Sequence, residues 1–101
     1  MYPASSAAAM KNIVHIPIED TLGLHAFQAS EVPLLLEDYF SECVRKQIFQ
    51  VRIIHGKGSG MLKQRVHALL SASRMVEAFS DAPPEAGGWG ATLVTLKSPR
   101  L

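Results

Sequence analysis

The residues best suited to chemistry in this 101-residue chain form the run HGKGSG at positions 55–60. It follows a β-branched segment, Val51–His55, and precedes the apolar stripe of a helix, so it should connect a strand to a helix N-terminus. Ligands of α/β proteins gather at such strand ends. Glycine lets the backbone approach a ligand closely. The helix N-terminus and Lys57 add positive charge, so the expected ligand is an anion such as phosphate.

Two common phosphate-binding motifs are excluded by the residue at position 61. A Walker loop needs its second glycine there, followed by Lys and Ser or Thr, and the dinucleotide fingerprint needs its third glycine there. The chain has Met61 at that position. A glycine-rich turn of another kind is therefore predicted.

Two histidines are expected at the carboxyl ends of strands, His25 after a first strand and His55 after the second. We expect them to face each other across one cleft, where two imidazoles can act as base and acid on a phosphodiester. Lys57 and the loop N–H groups would stabilise the developing negative charge. The alternative is that one or both histidines bond to the backbone and fix the loops. His67, on the second helix, is predicted to be a surface residue.

Trp89 lies in a glycine-rich loop, GGWG, rather than in a regular element. It can stack on an exposed nucleic-acid base. It can equally fold inward and anchor the loop.

The charges are unevenly distributed although the formal net charge is only +1. No Asp or Glu occurs between Cys43 and Val76. A basic sector on a near-neutral protein favours a polyanionic partner, and a solvated surface is the alternative. The basic residues of this stretch are Arg45, Lys46, Arg52, Lys57, Lys63, Arg65 and Arg74.

Composition limits the class of protein. With 48% hydrophobic and 19% charged residues the chain can bury a core, and its apolar runs are too short to span a bilayer. Residues 1–10 carry no Lys or Arg and do not resemble a secretory signal. The single Cys43 fits a reducing compartment and is expected to be buried, and no zinc-like spacing is present. We expect a cytoplasmic protein without membrane contact.

Periodicity and turn residues predict a flexible tail at 1–16 and one domain at 17–101. A first helix should begin near Glu31, with Ser30 as N-cap and Pro33 in its first turn. The order β-α-β-α-β-β predicts an α/β, two-layer fold with a mixed four-stranded sheet, its apolar last strand inside and its polar third strand at an edge. The expected elements are strand Thr21–Phe27, helix from Glu31, strand Val51–His55, helix from Leu62 to near Ser73, strand Met75–Asp81, loop Ala82–Gly90 and strand Ala91–Lys97.

These motifs together resemble the Smr (small MutS-related) domain family, over about residues 19–96. The resemblance is carried by HGKGSG with its helix, by the Pro-x-x-x-Gly-Gly-x-Gly loop at 83–90 before TLVTL, and by LGLHAF in the place of the family's Leu-Asp-Leu-His-Gly signature. It implies the fold of the C-terminal domain of bacterial translation initiation factor three. It also implies DNA nicking, RNA cleavage or, in some members, binding alone.

Carried over by position, the resemblance implies catalytic roles for His25 and His55. The predicted nucleic-acid-binding residues are Gly56, Lys57, Gly58, Ser59, Gly60, Lys63, Arg65 and Trp89.

The chain departs from the signature at two positions, where Gly23 replaces the Asp and Ala26 replaces the Gly. A carboxylate at 23 could bind a divalent metal or orient His25, and glycine can do neither. Three hypotheses follow: a nuclease on DNA or RNA, with or without a divalent metal; a non-catalytic nucleic-acid- or ribosome-binding module; and a protein-interaction domain with an acidic partner. The missing acid favours the second over the first.

Overall fold

The structure, a computed structural model, describes residues 18–98. The predicted tail at 1–16 lies outside the described residues. Short 3-10 turns at Ala29–Glu31, Pro84–Ala86 and Gly88–Gly90 supplement the regular elements. These are strand β1 (Thr21–Gly23), helix α1 (Val32–Arg45), strand β2 (Gln50–Ile54), helix α2 (Met61–Ala72), strand β3 (Val76–Asp81) and strand β4 (Ala91–Leu96).

The four strands form one mixed sheet in the order β1-β2-β4-β3. Strand β1 runs parallel to β2, while β4 is antiparallel to both β2 and β3. The predicted order of elements and the two-layer α/β architecture are confirmed. The apolar β4 lies inside the sheet and the polar β3 at its edge, as expected, because an edge strand exposes one side to water.

The core lies between one face of the sheet and the two helices. Alternate residues of each strand point to that face, so Val51 and Ile53 of β2 are buried while Arg52 between them is not. Helix α1 contributes most of the helical core and α2 contributes Val66 and Leu70. Both helices therefore cover one face of the sheet, as the crossover rule predicts.

Helix α1 begins differently from the prediction. A 3-10 turn precedes it, and the backbone N–H of Gln28 donates to the Glu31 carboxylate at 2.8 Å, so Ser30 is not the N-cap. The prediction failed because a serine within such a turn is itself in a helical conformation and cannot cap. Pro33 does lie in the first turn, where its missing N–H costs nothing.

The first strand is shorter than predicted, ending at Gly23 rather than Phe27. The N–H of Leu24 still donates to the Ile54 carbonyl at 3.0 Å, but the chain then turns, with Phe27 N–H bonding back to the Leu24 carbonyl. The strand ends here because its partner β2 ends at Ile54, in register with Gly23.

Cys43 is fully buried, as predicted, and burial raises the pKa of its thiol to about 11. It is therefore a neutral, inert core residue. No helix among residues 18–98 is long and apolar enough to cross a membrane.

Candidate functional site

The loop between β2 and α2 contains three glycines that differ in backbone conformation. Gly56 has φ +82° and Gly60, the N-cap of α2, has φ +86°. Both angles lie in the left-handed region that disfavours side chains. Gly58 lies outside that region and a Cβ there would meet open space. The backbone therefore favours glycine at 56 and 60 but not at 58.

The N–H groups of this loop fall into two sets. Those of His55 and Gly56 point inward and donate to the Gly90 carbonyl at 3.1 and 2.8 Å. The Gly56 N–H is therefore not available to a ligand, because β2 pairs with the start of β4 at this point. The N–H groups of Lys57–Gly60 donate to no acceptor among residues 18–98. They form an exposed row of donors ahead of the α2 N-terminus, suited to an anion.

The exposed side chain of Lys57 lies across Gly90. A methyl group at position 90 would sit 3.0 Å from Lys57 Cγ and 3.5 Å from the Gly56 carbonyl carbon. The contact with Gly56 would be an ordinary one, but the stem of Lys57 would have to move by a few tenths of an ångström. Gly90 therefore sets the course of the lysine stem as well as accepting both inward N–H bonds.

His55 is buried and both of its ring nitrogens face protein atoms. Its Nδ1 lies 3.1 Å from the Gly56 carbonyl, and its Nε2 lies 2.8 Å from the hydroxyl of Thr92, which is itself fully buried. The same hydroxyl lies 2.9 Å from Nε2 of His67. One hydroxyl thus joins two imidazoles.

The direction of these bonds follows from donor and acceptor counts. Nδ1 of His55 faces a carbonyl and so must carry hydrogen, which leaves Nε2 of neutral His55 as an acceptor. The Thr92 hydroxyl donates its single hydrogen to that nitrogen and can only accept from His67. The hydrogen bonds therefore run from His67 through Thr92 to His55 and fix one tautomer of each ring.

His67 is half-buried and not the simple surface residue that was predicted. Its ring packs edge-on against His55 and Phe79, at centroid distances of 6.2 and 4.9 Å. Burial lowers the pKa of His67, although Asp81, whose carboxylate lies 4.0 Å away, acts in the opposite direction. The sequence held a partial signal, since His67 flanks the apolar stripe of α2 next to Val66.

His25 is exposed and lies just beyond the end of β1. A Cβ at Gly23 would meet its Nδ1 at 3.3 Å. The ring of His55 contacts Thr92 and His67. That His25 and His55 face each other across one cleft stays a prediction. Among residues 18–98 no hydrogen bond or ring contact joins His25 to His55.

Trp89 remains 46% exposed and lies beside the first turn of α2. The ammonium of Lys63 is 5.3 Å from its ring centroid, within cation–π range, and also 3.0 Å from the Asp81 carboxylate. The loop is thus anchored through this contact while much of the indole stays accessible to solvent.

The basic stretch of the sequence is not one surface. Arg45 is paired with Glu42 at 2.7 Å, and Arg52 donates to the Ala86 carbonyl at 3.0 Å. Lys57, Lys63 and Arg65 lie on the glycine loop and the first turns of α2. Because Lys63 is itself paired with Asp81, the positive charge around the loop that stays unpaired within residues 18–98 comes from Lys57 and Arg65 rather than from the whole stretch.

The described residues offer no ready-made metal site. Among residues 18–98 no group of three or more His, Cys, Asp and Glu side chains is placed to hold an ion. At the signature position where a carboxylate was expected as a ligand, the chain has Gly23.

Comparison with known proteins shows to which family this chain belongs. Residues 22–97 match the model of the Smr domain. The chain is 44% identical over 75 residues to ribosome rescue factor SmrB of Shewanella baltica, covering 74% of this chain and 43% of that protein. It is 33% identical over 93 residues to endonuclease MutS2 of Finegoldia magna, covering 92% of this chain and 12% of that protein. The chain thus spans less than half the length of these curated relatives.

Solved structures agree with this assignment. The crystal structure of the Smr domain of Thermus thermophilus MutS2 superposes with a TM-score of 0.73 at 33% identity, covering 78% of this chain and 99% of that one. The stand-alone small MutS-related protein YdaL of Escherichia coli superposes with a TM-score of 0.73 at 26% identity, covering 81% of this chain and 67% of that one. The chain therefore belongs to the Smr domain family.

Proposed function

We propose that this protein binds nucleic acid by holding a backbone phosphate on the loop Lys57–Gly60. The observation that carries the proposal is the row of exposed N–H groups in this loop, which have no acceptor among the described residues. Lys57 adds a full positive charge beside them, and the α2 N-terminus a partial one. Arg65 lies close behind on α2 and extends the positive field along the bound strand, whereas the charge of Lys63 is partly offset by Asp81.

In this proposal His55 positions the loop and does not touch the ligand. It is buried, and each ring nitrogen already faces a protein partner, so neither is available to substrate. This is the alternative that the sequence left open for the histidines. The ring ties Gly56 at the start of the loop to Thr92 in the interior strand β4.

The relatives support a polyanionic ligand. One is named as a ribosome rescue factor and another as an endonuclease, and both names imply contact with nucleic acid. Because this chain corresponds to only part of each, their complete activities are not carried over. Binding of a phosphodiester backbone, whether in a ribosome or in free RNA or DNA, is the shared chemistry.

The test is a binding isotherm with labelled RNA and DNA at increasing salt. We expect log affinity to fall linearly with log salt, by about 0.9 per phosphate neutralised on duplex DNA and about 0.7 on single strands. Lys57→Ala should weaken binding and reduce that slope. Lys46→Ala is the matched control, because Lys46 is exposed at the C-terminus of α1. It precedes the start of β2, whereas the glycine loop follows the end of that strand. Affinity that does not respond to salt would contradict the proposal.

Phosphodiester cleavage is the second candidate function, and the exposure of His25 favours it. The backbone N–H of Leu24 donates to the Ile54 carbonyl, so His25 lies at the same end of the strands as the glycine loop. There His25 would accept the proton of the attacking hydroxyl as its oxygen bonds to phosphorus, while Lys57 and the loop N–H groups stabilise charge on the phosphoryl oxygens. The P–O bond to the leaving oxygen breaks, and that oxygen takes a proton from solvent.

Incubation of labelled RNA and branched DNA, with and without divalent metal, tests this second function. Cleavage that His25→Ala abolishes would establish it, and absence of cleavage under every condition would leave binding alone. Gly23→Asp sharpens the test by restoring the signature acid. The exposed His25 ring must shift by a few tenths of an ångström to admit it. We expect cleavage to rise if the missing carboxylate limits the native protein.

A further inference from the structure

A surface hollow lies on the side of the glycine loop away from Trp89, and neither the proposed phosphate contact nor the cleavage chemistry uses it. It encloses about 660 Å³, within the range of small-molecule sites. Its wall is formed by the start of α2, the end of the glycine loop and the turn after β1. The lining residues are Phe27, Ala29, Ser59, Met61, Leu62, Gln64 and Arg65.

The lining combines flat apolar surface with polar groups at the rim. Phe27 is half-buried against the core and so holds one side of its ring at the hollow. Met61 is 74% exposed, which is unusual for a large apolar residue without a packing role. Gln64 and Arg65 are exposed beside it and supply an amide and a guanidinium.

We propose that this hollow receives an unpaired nucleobase of the strand whose phosphate lies on Lys57–Gly60. The inference rests on the proposed function and names its substrate class, a nucleic acid with at least one unstacked nucleotide. Ser59 belongs to both the loop and the hollow, so a phosphate on the loop has its own base within reach. The ring of Phe27 and the thioether of Met61 offer a stacking surface, and Gln64 and Arg65 can bond to base edges.

A fully paired duplex does not fit this arrangement, because a stacked base presents only its edges to a protein. The occupant is therefore a loop, bulge, end or single strand. The charge of Arg65 also suits a nucleic acid. Among residues 18–98 Arg65 forms no ion pair, which leaves its guanidinium free for a polyanion.

The experiment compares three labelled ligands of equal length by fluorescence anisotropy at one low salt concentration: a single-stranded oligonucleotide, the same strand with abasic sites, and a blunt duplex. The native protein should prefer the strand with bases to the abasic strand by about tenfold, the scale of one base–aromatic stacking contact. Met61→Ala and Phe27→Leu should each lower that preference to about threefold. Phe27→Leu keeps apolar packing against the core, so the fold is retained.

Two controls match these variants. Leu34→Ala removes a partly exposed apolar side chain on α1, and Arg74→Gln removes an exposed cation after α2; neither should change the preference. An equal affinity for the strands with and without bases would overturn the inference. If such binding still depended on Lys57 and salt, the phosphate loop would stand without the hollow. Loss of all salt-sensitive binding would instead refute the proposed function, and the inference with it.

Discussion

The two layers of the site differ in how their polar groups are used. The inner layer, His55, Thr92 and His67, is enclosed and its hydrogen bonds end on one another or on the Gly56 carbonyl. The outer layer, the loop Lys57–Gly60, is exposed and its N–H groups have no acceptor among the described residues.

This difference separates the groups that hold the loop in place from the groups that can bind a ligand. Buried polar groups must be satisfied within the protein, because an unpaired one costs about 1–3 kcal/mol. Exposed donors lose nothing while water solvates them, and they are available to a ligand. Damage to the inner layer should therefore appear first as lost stability, and damage to the outer layer as lost affinity.

The largest effect is expected for Thr92→Val, which removes the hydroxyl shared by both imidazoles without changing the shape of the side chain much. The buried Nε2 of His55 and the part-buried Nε2 of His67 both lose their partner, so the free energy of unfolding should fall by about 2–3 kcal/mol. Urea denaturation measures this. Thr95→Val on the same strand is the control, because its hydroxyl bonds only to exposed Gln50 and the change should be below about 0.5 kcal/mol. Similar losses in both variants would contradict the two-layer description.

The next effect contrasts two glycines of the loop. Gly56→Ala places a side chain at φ +82° and should destabilise the protein by about 1–2 kcal/mol. Gly58→Ala meets open space at an ordinary φ, so thermal unfolding should be unchanged while nucleic-acid affinity falls, since the methyl group would sit where a phosphate approaches. If Gly58→Ala bound as the native protein does, the ligand would not contact this part of the loop.

A smaller effect links the layers at Gly90. Gly90→Ala should displace the stem of Lys57, which lies 3.0 Å from the added methyl group, and lower affinity by about threefold. A double-mutant cycle with Lys57→Ala measures the coupling. Once the lysine is gone, the alanine should have less effect on binding. Fully additive losses would mean that Gly90 acts on something other than Lys57.

The smallest effect concerns pH. Burial lowers the pKa of His67 in the folded protein below its ordinary value of about 6.5. Between those two values the unfolded chain binds more protons, so stability should decline as pH falls below about 6.5 and be unaffected above it. His67→Gln keeps an N–H donor for Thr92 and should flatten this decline. An unchanged pH slope in the variant would assign the titration to another group.

The sequence predicted those features that depend on local sequence patterns. The order of elements, the burial of Cys43, the inner position of β4 and the strand–loop–helix at HGKGSG all follow from periodicity and glycine placement. The partners of His55 do not, because Thr92 reaches it through the pairing of Ile53 with Thr92, 39 positions apart in the chain. The course of the loop at Gly56 likewise depends on Gly90, on another loop, whose carbonyl accepts the Gly56 N–H. Neither contact can be predicted from residues that are neighbours in the sequence.

Strand β4 occupies the middle of the sheet, yet it is the last of the strands along the chain. During synthesis, β2 and β3 have no common neighbour until residues 91–96 emerge, and both the Gly90 carbonyl and the Thr92 hydroxyl arrive with that segment. Its pairing with β2 joins residues far apart in the chain, from Ile54 with Ala91 to Gln50 with Thr95, and such contacts form slowly. A nascent or truncated chain without it has neither a closed sheet nor a fixed glycine loop. If the loop binds as proposed, an incomplete chain lacks the fixed loop that such binding needs.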